Sequence, residues 1–180
     1  HVWLGDGDGG FTEASQGLPD SGGFGQMAAG DLDGDGLSDL VAMGTSWAGN
    51  HGVHAYLQVA QDGSSSWEEA TSPDPDGAYN GAAIAGDVVV GAGKTGMRSW
   101  RWRGGHWEKV IAGLPQTGEF TGVDAVPLGD GVLAAFGSYS MDGVAVSRMN
   151  STGWHDVTPV SVMAETTAAQ AQHPVLADVD

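Results

Sequence analysis

The stretch Asp31-Leu32-Asp33-Gly34-Asp35-Gly36-Leu37-Ser38-Asp39, followed at once by Leu40-Val41-Ala42-Met43, decides how this chain reads. Aspartates stand at loop positions 1, 3, 5 and 9, with a glycine at position 6. Alternate carboxylates in a tight loop converge on one hard cation, and Ca²⁺ takes about six to eight oxygens of this kind. Gly36 permits a turn that a Cβ would resist. The Leu37 carbonyl, at position 7, offers a main-chain oxygen. An EF-hand loop needs a glutamate at its twelfth position and flanking helices; here that position is Ala42, inside a β-like run. Without a cation, four unpaired carboxylates this close would repel one another. The expectation is a Ca²⁺ loop between two strands, with Asp31, Asp33, Asp35, Asp39 and the Leu37 carbonyl as ligands.

Outward from this loop the chain repeats. Phe11, Trp67, Trp107 and Trp154 each follow a Gly/Ser/Thr-rich turn, at spacings of 56, 40 and 47 residues. Phe24, Tyr79, Phe120 and Thr167 follow these markers by 13, 12, 13 and 13 residues. A period of about 40–50 residues is that of propeller blades. Four short apolar segments recur in each unit. The first is Met27-Ala28-Ala29, matched by Ala83-Ile84-Ala85, Asp124-Ala125-Val126 and Pro174-Val175-Leu176-Ala177. The second is Leu40–Met43, matched by Val88-Val89-Val90 and Val132–Phe136, continuous runs that suit strands buried on both faces. The third alternates, as in Met97–Trp102, and suits a half-exposed strand. The fourth begins at the marker aromatic and has the mixed polarity of an outer edge.

No segment has a helical period. Four-stranded antiparallel units repeated radially give an all-β propeller. The chain divides into a partial blade at 1–22, three full blades at 23–77, 78–118 and 119–165, and a partial blade at 166–180. His1 lies inside a strand-like segment and Asp180 inside an Asp-x-Asp start, so the region reads as cut from a longer chain. Ala177-Asp178-Val179-Asp180 matches the opening of the acidic loop, making Asp178 and Asp180 part of a second metal loop. The second and third full blades keep only Asp87 and Asp130 at the corresponding turn and are expected to turn without metal.

Gly23-Phe24-Gly25, the Asp31–Asp39 loop and Asp39-Leu40-Val41-Ala42 together resemble the FG-GAP/VCBS repeat. Copies of that repeat form the blades of integrin-alpha-like β-propellers. The resemblance implies that Asp31, Asp33, Asp35 and Asp39 bind Ca²⁺ between the first two strands of a blade. It also implies a secreted or cell-surface module for ligand binding or adhesion, without catalysis of its own, whose protein or glycan partner is met on a propeller face. Two other readings are a propeller belonging to a secreted carbohydrate-active or other hydrolytic enzyme, and a spacer in a large surface protein.

Composition limits the alternatives. The formal charge is −17, from 23 acids and 6 bases. Such a chain repels phosphate backbones and anionic lipid surfaces, so neither nucleic acid nor membrane is an expected partner. No apolar run is long enough for a spanning helix. The absence of cysteine excludes disulfides and thiolate metal sites and leaves the compartment open. Weaker signals read as structure. Gly91-Ala92-Gly93-Lys94-Thr95 lacks the first glycine and the following helix of a phosphate loop. Asp6-Gly7-Asp8-Gly9-Gly10 is a hairpin turn. His51 and His54 lack a third metal ligand at recognisable spacing. Trp100 and Trp102, interleaved with arginines, read as core packing covered by Arg stems.

Overall fold

The computed structural model describes residues 1–44, 50–61, 64–138, 144–159 and 174–177. Among them there is no helix; the chain is all-β. A hairpin of β1 (Trp3–Gly5) and β2 (Phe11–Glu13) comes first. Three four-stranded antiparallel meanders follow, the sheet form of propeller blades. The first is β3 (Phe24–Gly30), β4 (Asp39–Gly44), β5 (Val53–Gln61) and β6 (Ser64–Ala70). The second is β7 (Tyr79–Ala85), β8 (Val88–Gly93), β9 (Gly96–Arg103) and β10 (His106–Lys109). The third is β11 (Phe120–Leu128), β12 (Gly131–Ser138), β13 (Val144–Asn150) and β14 (Gly153–Asp156). Thr167 and most of 166–180 fall outside the described residues.

The sheets stack face to face, β7 against β3 and β4, and β11 against β7 and β8. Successive side chains of a strand point to opposite faces. Val89, Trp100 and Trp102 therefore pack backwards on Val41 and Met43 of the first meander. Val88, Val90 and Met97 pack forwards on Val132, Phe136 and Met149 of the third. Val88, Val89 and Val90 are all fully buried, as a continuous apolar run in a middle strand requires.

The marker spacing has a structural cause. Phe24, Tyr79 and Phe120 each open a first strand and are each followed by a β-bulge, at Phe24/Gln26, Tyr79/Gly81 and Phe120/Gly122. Counted from the bulge, Met27-Ala28-Ala29 corresponds to Ala82-Ala83-Ile84, one residue earlier than apolar matching of the sequence places it. In the third meander the counterpart of Met27 is likewise Val123, again one residue early. A one-residue slip exchanges the two faces of a strand, and when both faces are apolar the pattern carries no signal that prevents it.

The marker tryptophans lock each sheet to the one before. The indole N–H of Trp67 donates to Ala14 O at 2.6 Å, that of Trp107 to Thr71 O at 2.7 Å and that of Trp154 to Val110 O at 3.0 Å. Each acceptor is the first residue after the fourth strand of the preceding sheet, or after β2 of the hairpin. Backbone bonds reinforce two of the locks, from Trp67 N to Gln16 O and from Trp154 N to Ala112 O, both 2.8 Å. Gly17 and Gly113, in the repeated Gly-Leu-Pro linkers, follow these acceptors with φ of 93° and 89°. A Cβ at Gly113 would run into the Trp154 carbonyl, whereas one at Gly86 (φ 54°) would meet nothing within 4 Å.

Gly86→Ala should therefore cost about 1 kcal/mol, the left-handed backbone penalty alone. Gly113→Ala should cost roughly 3 kcal/mol or more, because strain and a backbone clash add. Urea denaturation midpoints check the order; equal costs would contradict the close sheet-to-linker contact.

Candidate metal centre

The acidic loop is the turn from β3 to β4, whose Gly30 and Asp39 face each other as its last paired residues. Gly34 and Gly36, at φ of 84° and 87°, supply the left-handed turns that let the chain coil within it. The carboxylates organise the backbone. Asp31 accepts N–H bonds from Gly34 at 2.8 Å and Gly36 at 3.1 Å. Asp33 accepts one from Asp35 at 3.1 Å, and Asp35 one from Leu37 at 2.8 Å.

Asp39 differs from the other three. It is 0% exposed, and its two oxygens accept from Leu32 N at 2.7 Å and Gln58 N at 2.9 Å. One carboxylate thus ties the start of the loop to its end, and both to β5. Burial pushes its pKa above the ordinary 3.8; the Gln58 and Leu32 N–H donors pull it back, and the nearby Asp33 charge raises it further. Leu32, 1% exposed, drops into the core beside Val41 and Met43 and pins the loop from below.

Asp31, Asp33 and Asp39 come together: one carboxylate oxygen from each lies within 4.8 Å of the other two. Among the described residues this is the one such group, and it can hold a metal ion. Asp35 and Leu37 lie in the same loop outside that trio; Asp178 and Asp180 fall outside the described residues. Sequence reading missed Leu32 and the Gln58 N–H. An apolar residue between two aspartates is a signal for the first. The second is a backbone group on another strand and has none.

The corresponding turns of the other two meanders are two residues long, Gly86-Asp87 and Gly129-Asp130. There an arginine faces the remaining acid, with Arg101 Nε 3.3 Å from Asp87 and Arg148 4.0 Å from Asp130. The weaker sequence signals resolve as packing and turns. Asp6 Oδ1 accepts from Asp8 N and Gly10 N, which closes the β1–β2 turn and holds the Asp6 pKa below its ordinary value. His54 bonds Glu69 and the His51 carbonyl. Gly91–Thr95 runs from β8 into its hairpin turn, and Trp100 and Trp102 are buried.

Residues 1–42 match the family of FG-GAP-like repeats. The match runs from the β1–β2 hairpin through the linker and the acidic loop into β4, so the repeat spans the end of one sheet and the start of the next. No curated protein matches the chain.

With divalent cations chelated, Asp39→Asn should destabilise the protein by about 1–3 kcal/mol, since the amide turns an N–H toward a buried backbone N–H. Asp33→Asn, exposed and bonded to one amide, should change stability by less than about 0.5 kcal/mol. The metal-free Asp39 contribution has a defined sign. Its folded pKa lies above 3.8, so the folded state binds the proton more tightly. Stability from this group therefore falls as pH rises from that value through the folded pKa. Denaturation of parent and Asp39→Asn in chelator across acid pH measures both effects.

Proposed function

We propose, from the premise that the chain carries an FG-GAP-like repeat, that it is a Ca²⁺-stiffened propeller region of a secreted or cell-surface protein. Its role is binding or adhesion to a protein or glycan, without catalysis of its own. The observation that carries this reading is the convergence of Asp31, Asp33 and Asp39 on one point. The donor set is oxygen alone on a coiled, largely exposed loop, which suits a hard cation with a high and adaptable coordination number. Asp35 and the Leu37 carbonyl, in the same loop, would add further oxygen ligands to that trio. Mg²⁺ holds its water tightly and demands near-octahedral geometry, so it is the poorer fit.

The cation relieves repulsion that the loop otherwise carries, and through Asp39 it stiffens the join between the loop and β5. Extracellular modules bind Ca²⁺ at about 10⁻⁴–10⁻³ M, within reach of a loop whose Asp31, Asp33 and Asp35 are exposed and whose Asp39 is buried. Support for an extracellular setting and a protein or glycan ligand comes from the repeat family. The charge of −17 disfavours polyanions as partners.

Thermal melts test the cation. Ca²⁺ at about 100 times its Kd should add about 2.7 kcal/mol of stability to the parent, and Asp33→Ala and Asp35→Ala should abolish the gain. A well-folded parent whose Tm ignores Ca²⁺ would overturn the calcium reading.

A further inference from the structure

The turn between β13 and β14 carries the one Asn-x-Ser/Thr sequence of the chain, Asn150-Ser151-Thr152. The other two asparagines, Asn50 and Asn80, have Gly52 and Ala82 two residues on, and neither offers a hydroxyl there. Such a three-residue match is weak alone, and it gains meaning only on an accessible loop.

Asn150 closes β13 and pairs with Gly153, so Ser151 and Thr152 form a two-residue hairpin turn. Met149 beside it is buried, and alternation along the strand sends the Asn150 side chain to the solvent face with Arg148. Asn150, Ser151 and Thr152 are all exposed. β14 is the end strand of its sheet. A bulky polar group on Asn150 would therefore stand off an outer edge, where such cover discourages edge-to-edge pairing.

The Asn150 amide is held by its oxygen alone. Oδ1 accepts from Thr152 N at 2.8 Å and from the Thr152 hydroxyl at 2.7 Å, and His155 Nε2 stands 3.2 Å from it. His155 Nε2 also lies 2.9 Å from Thr152 Oγ1. A backbone N–H only donates, so the atom facing Thr152 N is the carbonyl oxygen, and Nδ2 points away. Among the described residues Nδ2 has no partner. In contrast, Asn80 Nδ2 donates to Phe120 O at 2.9 Å. Replacing one Nδ2 hydrogen of Asn150 thus leaves every contact of the turn in place.

We propose that Asn150 is the acceptor for an N-linked glycan, a modification that rests on the secreted or cell-surface setting given above. The co-substrate is a glycan activated as a lipid diphosphate, presented by a transferase of the secretory route. Asn150 Nδ2 attacks the anomeric carbon of the sugar. The C–N bond forms as the C–O bond to the diphosphate breaks with its electron pair, the lipid diphosphate leaves, and one Nδ2 proton passes to a base of the transferase. Thr152 supplies the hydroxyl that the acceptor sequence requires.

The test secretes the full chain from a eukaryotic cell behind a cleavable leader, with an Asn-Gly-Thr reference on a flexible C-terminal Gly/Ser linker. Total cell and medium pools are both read by gel mobility with and without peptide N-glycosidase. The parent should show two glycosidase-sensitive steps. Asn150→Gln and Thr152→Ala should each lose one step, and Thr152→Ser, which keeps the hydroxyl, should retain it. The glycan-bearing parent should be as soluble as Asn150→Gln. A parent modified at the reference alone, a second step that survives Asn150→Gln, or a modified parent that is insoluble where Asn150→Gln is soluble would overturn the proposal. The leader delivers the chain whatever its native destination, so these failures bear on Asn150 and leave the reading of the acidic loop and of the setting untouched.

Discussion

A sheet whose second strand is apolar on both faces needs a neighbour on each side. Val88, Val89 and Val90 impose this condition on the middle meander, and each neighbouring meander meets it on one face. Burying a valine or leucine side chain is worth about 1.5–3 kcal/mol, and each apolar sheet face gains that only when another sheet covers it. Stacking is thus the consequence of strand composition, and the tryptophan N–H bonds fix its geometry. Because the indole always donates to the sheet before it, the stack has a direction along the chain.

The same packing prepares the acidic loop. Leu32 belongs to the core shared by the first two meanders, so the loop cannot swing free of the sheet. Asp39 is held by two backbone donors that need no cation. The loop is therefore partly preorganised by protein groups, and a cation has to gather only the exposed carboxylates. Where the turn shortens to two residues a guanidinium faces the one acid left.

Much of this was legible in the sequence. Three of the marker aromatics, Trp67, Trp107 and Trp154, revealed the repeat because each makes the same indole bond, and the acidic loop stood out because its aspartates have fixed offsets. The register within the first two strands was not legible. Met27 and Ala83 both sit in apolar runs, and either face of such a run satisfies the pattern; the bulge after Phe24 and Tyr79 breaks the tie, and it has no side-chain signature. The convergence of Asp31, Asp33 and Asp39 was legible as a cluster. The separate role of Asp39 was not, because it depends on burial and on an amide contributed by β5.

The most direct test of the account is a Ca²⁺ titration of the ¹⁵N-labelled chain followed amide by amide. The account predicts saturable shifts in residues 31–39 and at Gln58, whose N–H reports on the loop through Asp39. Shifts that never saturate, or that centre on another acidic turn such as Asp6–Gly10, would contradict it.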